Sequence, residues 1–346
     1  MSDPWNDFEF VVQMPHMAPG EKLSEVEFLK MLAAYQWESI ARVLGRRPSQ
    51  ITSLQKERLY GSVIDTELRF GEQHSQELLG EDATIHVRNR VRFFAKKFVE
   101  GLFVIDQLPI SDALLETVKR REDLPSLGLS WACMTNAFIA RAGGNLRLKV
   151  FKPEGADEIA LPELEQPPAG IREQARVQGS GAIAPLDDDD ARGIPLDDRS
   201  GERIVYAIVP ESDLNGAGLV YFARYEAMMN YGERMFLCEH LAIPVSTELV
   251  AHLSTEHRKV FFFANASPSD RVEVRVAASL FAPGSFPAPP ASLPYRVPFK
   301  LLFRIDLYRG SDRVLMASSL VRKSLNVPGS AKSVLLEAER LLRALA

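Results

Sequence analysis

Residues 213–238, DLNGAGLVYFARYEAMMNYGERMFLC, join a Gly-punctuated polar loop to a long, largely apolar stretch, and that pairing could do chemistry. In Asn215-Gly216-Ala217-Gly218 the glycines let backbone amides approach a ligand closely. The helix N-terminus expected just beyond carries partial positive charge, so a carbonyl oxygen gaining negative charge would be stabilised there. The same glycines also suit a tight turn into a core helix. Of the six histidines, only His16 sits in a comparable loop, where it could serve as donor or proton source. The others are scattered without ligand spacing, so no metal site is expected.

These residues need elements to position them. After Leu219 the large apolar residues recur at helical spacing as Phe222, Tyr225, Met229 and Phe236, a face too broad for a surface helix. The first half follows the same plan. A strand at 8–12 leads into the loop 14–20, and Ser24 with Glu27 forms a capping box before a helix that Gly45 and Pro48 stop. Alternation predicts strands at 59–70 and 84–104, the latter one long run with Arg88, Arg90 and Arg92 on one face. A hairpin is expected over 131–152, turning at Gly143-Gly144-Asn145. In the second half strands are expected at 203–209, 259–264, 270–281, 297–308 and 314–322, and an amphipathic helix at 331–346. Two apolar helices, each followed by an antiparallel sheet that curls around it, make an α+β double hot-dog. The units are residues 1–155 and 201–346. Residues 156–200, with prolines, Gly179-Ser180-Gly181 and the acidic run 187–190, read as a partly mobile linker with a solvated surface.

Composition narrows the partners. With a net charge of −5 and no basic cluster, nucleic acid is excluded as a natural partner. The acidic start and the lack of an uninterrupted apolar run of membrane length predict a cytoplasmic protein. The two cysteines, Cys133 and Cys238, lie far apart in apolar runs and read as buried free thiols.

The string from Asp213 to Tyr225 resembles the motif of hot-dog thioesterases acting on coenzyme A esters, but Asn215 stands where those enzymes carry a catalytic aspartate. An amide can hydrogen-bond a thioester and cannot act as general base or carboxylate nucleophile. Over nearly the whole chain, the sequence is similar to the LnmK-like double hot-dog family of bifunctional acyltransferase/decarboxylases found with polyketide synthases. The similarity is carried by Met14-Pro15-His16, Trp37, Arg58-Leu59-Tyr60, Met134-Thr135-Asn136 with Phe138, the Asp213 loop, and Phe263-Ala264-Asn265 before Asp270. It implies a malonyl- or methylmalonyl-type coenzyme A thioester that is decarboxylated, its acyl group then passing to the phosphopantetheine of an acyl carrier protein. No separate cofactor is implied, and an internal pair of hot-dogs suits a monomer or a homodimer. The tyrosine matching the family's active-site tyrosine is Tyr60. A phenol with a pKa of about 10 needs a neighbouring cation to act as nucleophile, and Arg58 is the local candidate; a neutral Tyr60 could instead protonate or orient an enolate. The Asn215–Gly218 segment would hold the thioester oxygen. Asn136 and Asn265, near strand ends, could bind the thioester, a pantetheine amide or a backbone turn.

Overall fold

Ser24 starts the first long helix as its sequence requires, with the hydroxyl accepting the Glu27 amide at 3.4 Å; α1 then runs Glu25–Val43 and buries Phe28, Leu29, Leu32 and Ile40. The computed structural model describes residues 5–71, 75–141, 148–187, 190–197, 201–287 and 293–345. The turn expected at Gly143-Gly144-Asn145 and His74 lie outside them. Before α1 comes strand β1 (Asn6–Val11), and after it β2 (Tyr60–Arg69), β3 (Thr84–Phe94), β4 (Phe98–Asp106) and β5 (Ser130–Arg141). A helix α2 (Ala169–Ser180) separates the halves. The second half then gives β6 (Ile204–Ala207), α3 (Phe222–Met235), β7 (Leu253–Phe262), β8 (Arg271–Phe281), β9 (Lys300–Arg309), β10 (Leu315–Leu325) and α4 (Lys332–Leu345).

The strands form one antiparallel sheet in the order β1-β3-β4-β5-β2-β7-β10-β9-β8-β6. Counted outward from the β2·β7 seam, each half runs second, fifth, fourth, third, first strand. Each half also places its long helix between its first and second strands. This repeat is the double hot-dog. The two copies share even an irregularity, because β2 bulges at Ile64 and β7 at Glu256 where each pairs with the last strand of its half. With the bulges matched, Tyr60 corresponds to His252, Asn136 to Lys323, Ala137 to Ser324 and Phe98 to Lys300.

Charged groups close both sides of the seam. On the helix side Arg258, 1% exposed, donates to Glu25 of α1 at 2.8 Å and to Asn230 and Glu233 of α3 at 2.8 and 3.2 Å, while Lys323 pairs with Glu233. Glu226 is fully buried there, with Thr66 3.5 Å from one oxygen and no partner for the other. Burial, reinforced by Glu25 and opposed by Arg258, raises its carboxyl well above the usual range. On the other face Arg121 binds Asp65 at 2.8 Å and Glu67 at 2.7 Å, and His257 meets Glu67 at 2.8 Å. Burial alone would raise the Glu67 carboxyl, but Arg121, His257 and Lys259 hold it well below the ordinary value.

Two expectations change. The run 84–104 is two strands, because Ala95 and Lys96 both adopt left-handed conformations (φ 49° and 57°) and turn the chain between β3 and β4. Arg88, Arg90 and Arg92 of β3 donate to the carbonyls of Ile110, Val118 and Lys119, strapping that segment to the sheet. Residues 156–200 are not a plain linker, since α2 packs over β2 and β7 and the acidic run supplies Asp187 and Asp190 to Arg322. Gly179 and Ser180 end that helix.

Two measurements test this packing. In Gly232→Ala the new Cβ would lie 2.4 Å from Val274 Cγ1, between α3 and the sheet, so urea unfolding should show a loss of about 1–3 kcal/mol. Because Glu226 has a raised folded pKa, its contribution is fully present below the unfolded value of about 4.3 and is lost as pH rises toward the folded value. Glu226→Gln should therefore gain on the parent as pH rises from about 4 to neutral; a gap in unfolding free energy independent of pH contradicts the assignment.

Candidate functional site

The loop between β6 and α3 is built on Asp213. Its carboxylate, fully buried, accepts from the Val209 amide at 2.8 Å, from the Tyr206 hydroxyl at 3.1 Å and from Arg224 Nε at 2.8 Å. Arg224 lies in the first turn of α3, so the pair fastens the loop to the helix it precedes. At the other end Asn265 holds Val220, accepting its N–H at 3.1 Å and donating to its carbonyl at 3.4 Å. A bridge between Leu214 and Val220 closes the turn, and Gly218 takes a left-handed φ of 70° inside it.

This geometry redistributes the donors. The Asn215 side-chain oxygen accepts the amides of Ala217 and Leu219 at 2.9 and 3.2 Å, and the Gly218 amide donates to the Asn215 carbonyl at 2.8 Å. Those amides are spent on the turn. Neither Asn215 Nδ2 nor the Gly216 amide has a hydrogen-bond partner among the described residues, and Gly216 is exposed with open space at its Cα. The helix start itself lies beyond the turn, at Phe222. A ligand oxygen at this loop would thus be met by a side-chain amide and one backbone amide rather than by the whole glycine run.

Tyr60, the first residue of β2, comes to this loop from the other half. It packs with Ala217 and Leu219 in an apolar cluster that includes Ile64, Phe98, Ala137 and Ile139. Arg58 is exposed and lies over the ring face, 5.4 Å from its centroid, instead of forming an ion pair at the loop. The structure therefore gathers Tyr60, Arg58, Asn215, Gly216, Ala217 and Gly218 in one neighbourhood.

Asn136, Asn265 and His16 are placed elsewhere. Strand alternation turns Asn136 away from Ala137 and Ile139 and toward α1, where Gln36 Nε2 donates to its oxygen at 2.8 Å. Gln36 reaches that point only because residue 101 is glycine; a Cβ there would sit 2.1 Å from its oxygen. Asn265 spends both ends of its amide on Val220, which is the turn role left open by the sequence. His16 serves its own loop, its Nδ1 accepting the Gln13 amide at 3.0 Å and its ring standing edge-on to Phe10. It belongs to the equivalent loop of the other repeat. Asp213, Arg224 and Gln36 were not singled out by role, and only the closeness of Asp213 to the glycine run could have flagged the first.

No family model matches the chain, and no curated protein matches it. Among solved structures, the oleoyl thioesterase of Lactobacillus plantarum is similar with 10% identity and a TM-score of 0.56, over 94% of this chain and 98% of that one. The acyl-ACP thioesterase of Bacteroides thetaiotaomicron is also similar, with 10% identity, a TM-score of 0.49 and coverage of 92% and 97%. The Lactobacillus likeness agrees with the strand order: the fold is a double hot-dog in a single chain.

Asp213→Asn leaves Arg224 half-buried without its carboxylate. Chemical unfolding should show a loss of about 3 kcal/mol, and amide exchange should rise across 213–221.

Proposed function

We propose that this protein is an enzyme acting on acyl thioesters, with its site between the 213–220 loop and the start of β2. The observation that carries the reading is the packing of Tyr60, from the first repeat, against the apolar cluster that Ala217 and Leu219 of the second help to form. A thioester carbonyl bound there would have Asn215 Nδ2 and the Gly216 amide as donors and the Tyr60 hydroxyl beside them. Apolar walls from Ile64, Phe98 and Ile139 suit an acyl chain.

Hydrolysis is the reaction favoured by the fold comparison, since the Lactobacillus protein is described as a thioesterase. Decarboxylating transfer is favoured by the side chains: Asp213 is engaged by Arg224, and Asn215 cannot deprotonate water. In that second reading a malonyl- or methylmalonyl-coenzyme A loses carbon dioxide, and the electrons of the broken C–C bond pass into a thioester enolate held by the loop donors. A proton then returns to that carbon. The acyl carbon moves to the Tyr60 oxygen or directly to the phosphopantetheine thiol of a carrier protein, and coenzyme A leaves as the thiol.

Incubation with malonyl-, methylmalonyl- and long-chain acyl-coenzyme A, with and without a phosphopantetheinylated carrier protein, separates the reactions. Free acid as the only acyl product identifies the hydrolase. Carbon dioxide with an acylated carrier protein, seen by intact mass, identifies the transferase, and no turnover of any thioester leaves a binding module. In either enzyme Tyr60→Phe should lower kcat by on the order of 100-fold. Wild-type turnover in that variant rules out this site.

A further inference from the structure

A cavity of about 430 Å³ contains none of the site residues discussed above. It is lined mostly by the second repeat and completed by Arg69, Phe70, Gly71 and Ser75 of the first. Matching the two bulges shows where. The Tyr60 cluster of the first repeat is Ile64, Phe98, Ala137 and Ile139, all apolar and packed with Ala217 and Leu219. Their counterparts are Glu256, Lys300, Ser324 and Asn326, and all four line the cavity. The duplication has kept one position as an apolar cluster and turned its twin into a polar chamber.

We propose that this chamber is a second ligand site, for a small organic carboxylate with an apolar body. One cation of the wall sets the sign of the ligand. Arg69, Lys300 and Arg322 line the chamber with Glu256 and Asp187. Lys300 pairs with Glu256 at 2.8 Å, and Arg322 pairs with Asp187 and with Asp190. Arg69 is exposed and has no carboxylate partner among the described residues, so its guanidinium is open to a ligand. A guanidinium binds a carboxylate in two-point fashion.

The rest of the wall is suited to the ligand's body. Phe281, Phe286, Leu293 and Val297 supply apolar surface, and the volume falls in the range of small-molecule sites. Asn326, 2% exposed, keeps its side-chain oxygen without a hydrogen-bond partner while its nitrogen donates to Glu77 at 2.9 Å. A buried acceptor left in that state at a cavity wall calls for a proton from a bound water. Lys300 sits over the Phe286 ring at 4.9 Å, so the cationic and apolar parts of the wall meet.

Decanoate and decan-1-ol, titrated calorimetrically into the full chain, test the assignment. Saturable decanoate binding is expected, with decan-1-ol at least tenfold weaker. Arg69→Gln, a change at an exposed position, should weaken decanoate at least tenfold and leave decan-1-ol unchanged. Ser324→Phe, placed to fill the chamber, should abolish binding of both, and Tyr60→Phe should leave decanoate affinity as it was. Failure of decanoate to saturate, equal affinity in Arg69→Gln, or loss of binding in Tyr60→Phe overturns the proposal.

Discussion

The seam between β2 and β7 is the constraint from which the rest of the molecule follows. Five residue pairs, from Asp65↔Phe261 to Arg69↔His257, join two sheets that would otherwise each end in an open edge. The join buries charge on both sides. Arg258 must find Glu25, Glu233 and Asn230, and each comes from a different turn of two helices, so the seam sets the relative position of α1 and α3. On the opposite face Glu67, gripped by Arg121, meets His257 and Lys259 across the seam. Such pairs add little net stability when compared with apolar packing, but breaking one leaves an uncompensated interior charge. Their effect is to make one register of the two halves far better than its neighbours.

Joining two repeats back to back creates two equivalent clefts, each where the loop before one long helix meets the seam strand of the other half. The loops have diverged. That of the second repeat, fixed by Asp213 and Asn265, sets Ala217 and Leu219 into the apolar cluster of Ile139 against which Tyr60 packs. That of the first repeat passes close to Ala251, whose carbonyl would lie 2.5 Å from a Cβ on Gly20, and Lys22 meets the Leu253 carbonyl. Burial lowers the Lys22 ammonium to a pKa of about 8, so this loop is anchored by a cation already spent on the backbone. A duplicated chain can relax one cleft while the other keeps its shape, because each is made from different residues of the same seam.

Local rules in the sequence carried as far as local physics decides. The Ser24 cap, the helical spacing of Phe28 to Leu44 and of Phe222 to Phe236, and the alternation in β8 and β9 all act within a few residues, and those elements are where they were expected. The β3–β4 turn was missed because Ala95 and Lys96 carry no Gly, Asn or Asp signal for left-handed backbone; the pairing of β3 with β4 forces it. Helix α2 was hidden by its glycines and its weak apolar face, which needs the sheet beneath to make it worth forming. The site shows the same split. The turn residues Asn215 to Gly218 were recognisable, whereas the use of Asn265 to hold Val220 and of Asn136 to meet Gln36 depends on contacts across 45 and 100 positions.

That split also bears on the chemistry open to the loop. The two buried acidic side chains near the start of α3 are committed: Asp213 to Arg224 and Tyr206, and Glu226 to a site that favours its neutral form. Neither is free to collect a proton from water at the mouth of the turn. What remains at the surface of the loop is neutral, the Asn215 amide and the Gly216 N–H. Neutral donors stabilise developing negative charge on an oxygen without themselves needing to ionise, so they serve best where the difficult species is an enolate or a tetrahedral oxyanion. Such a site makes the nucleophile the scarce component. In the proposed reactions a thiol brought by a second substrate, or the phenol of Tyr60, would supply it, whereas water would have to be activated by a base from beyond this loop.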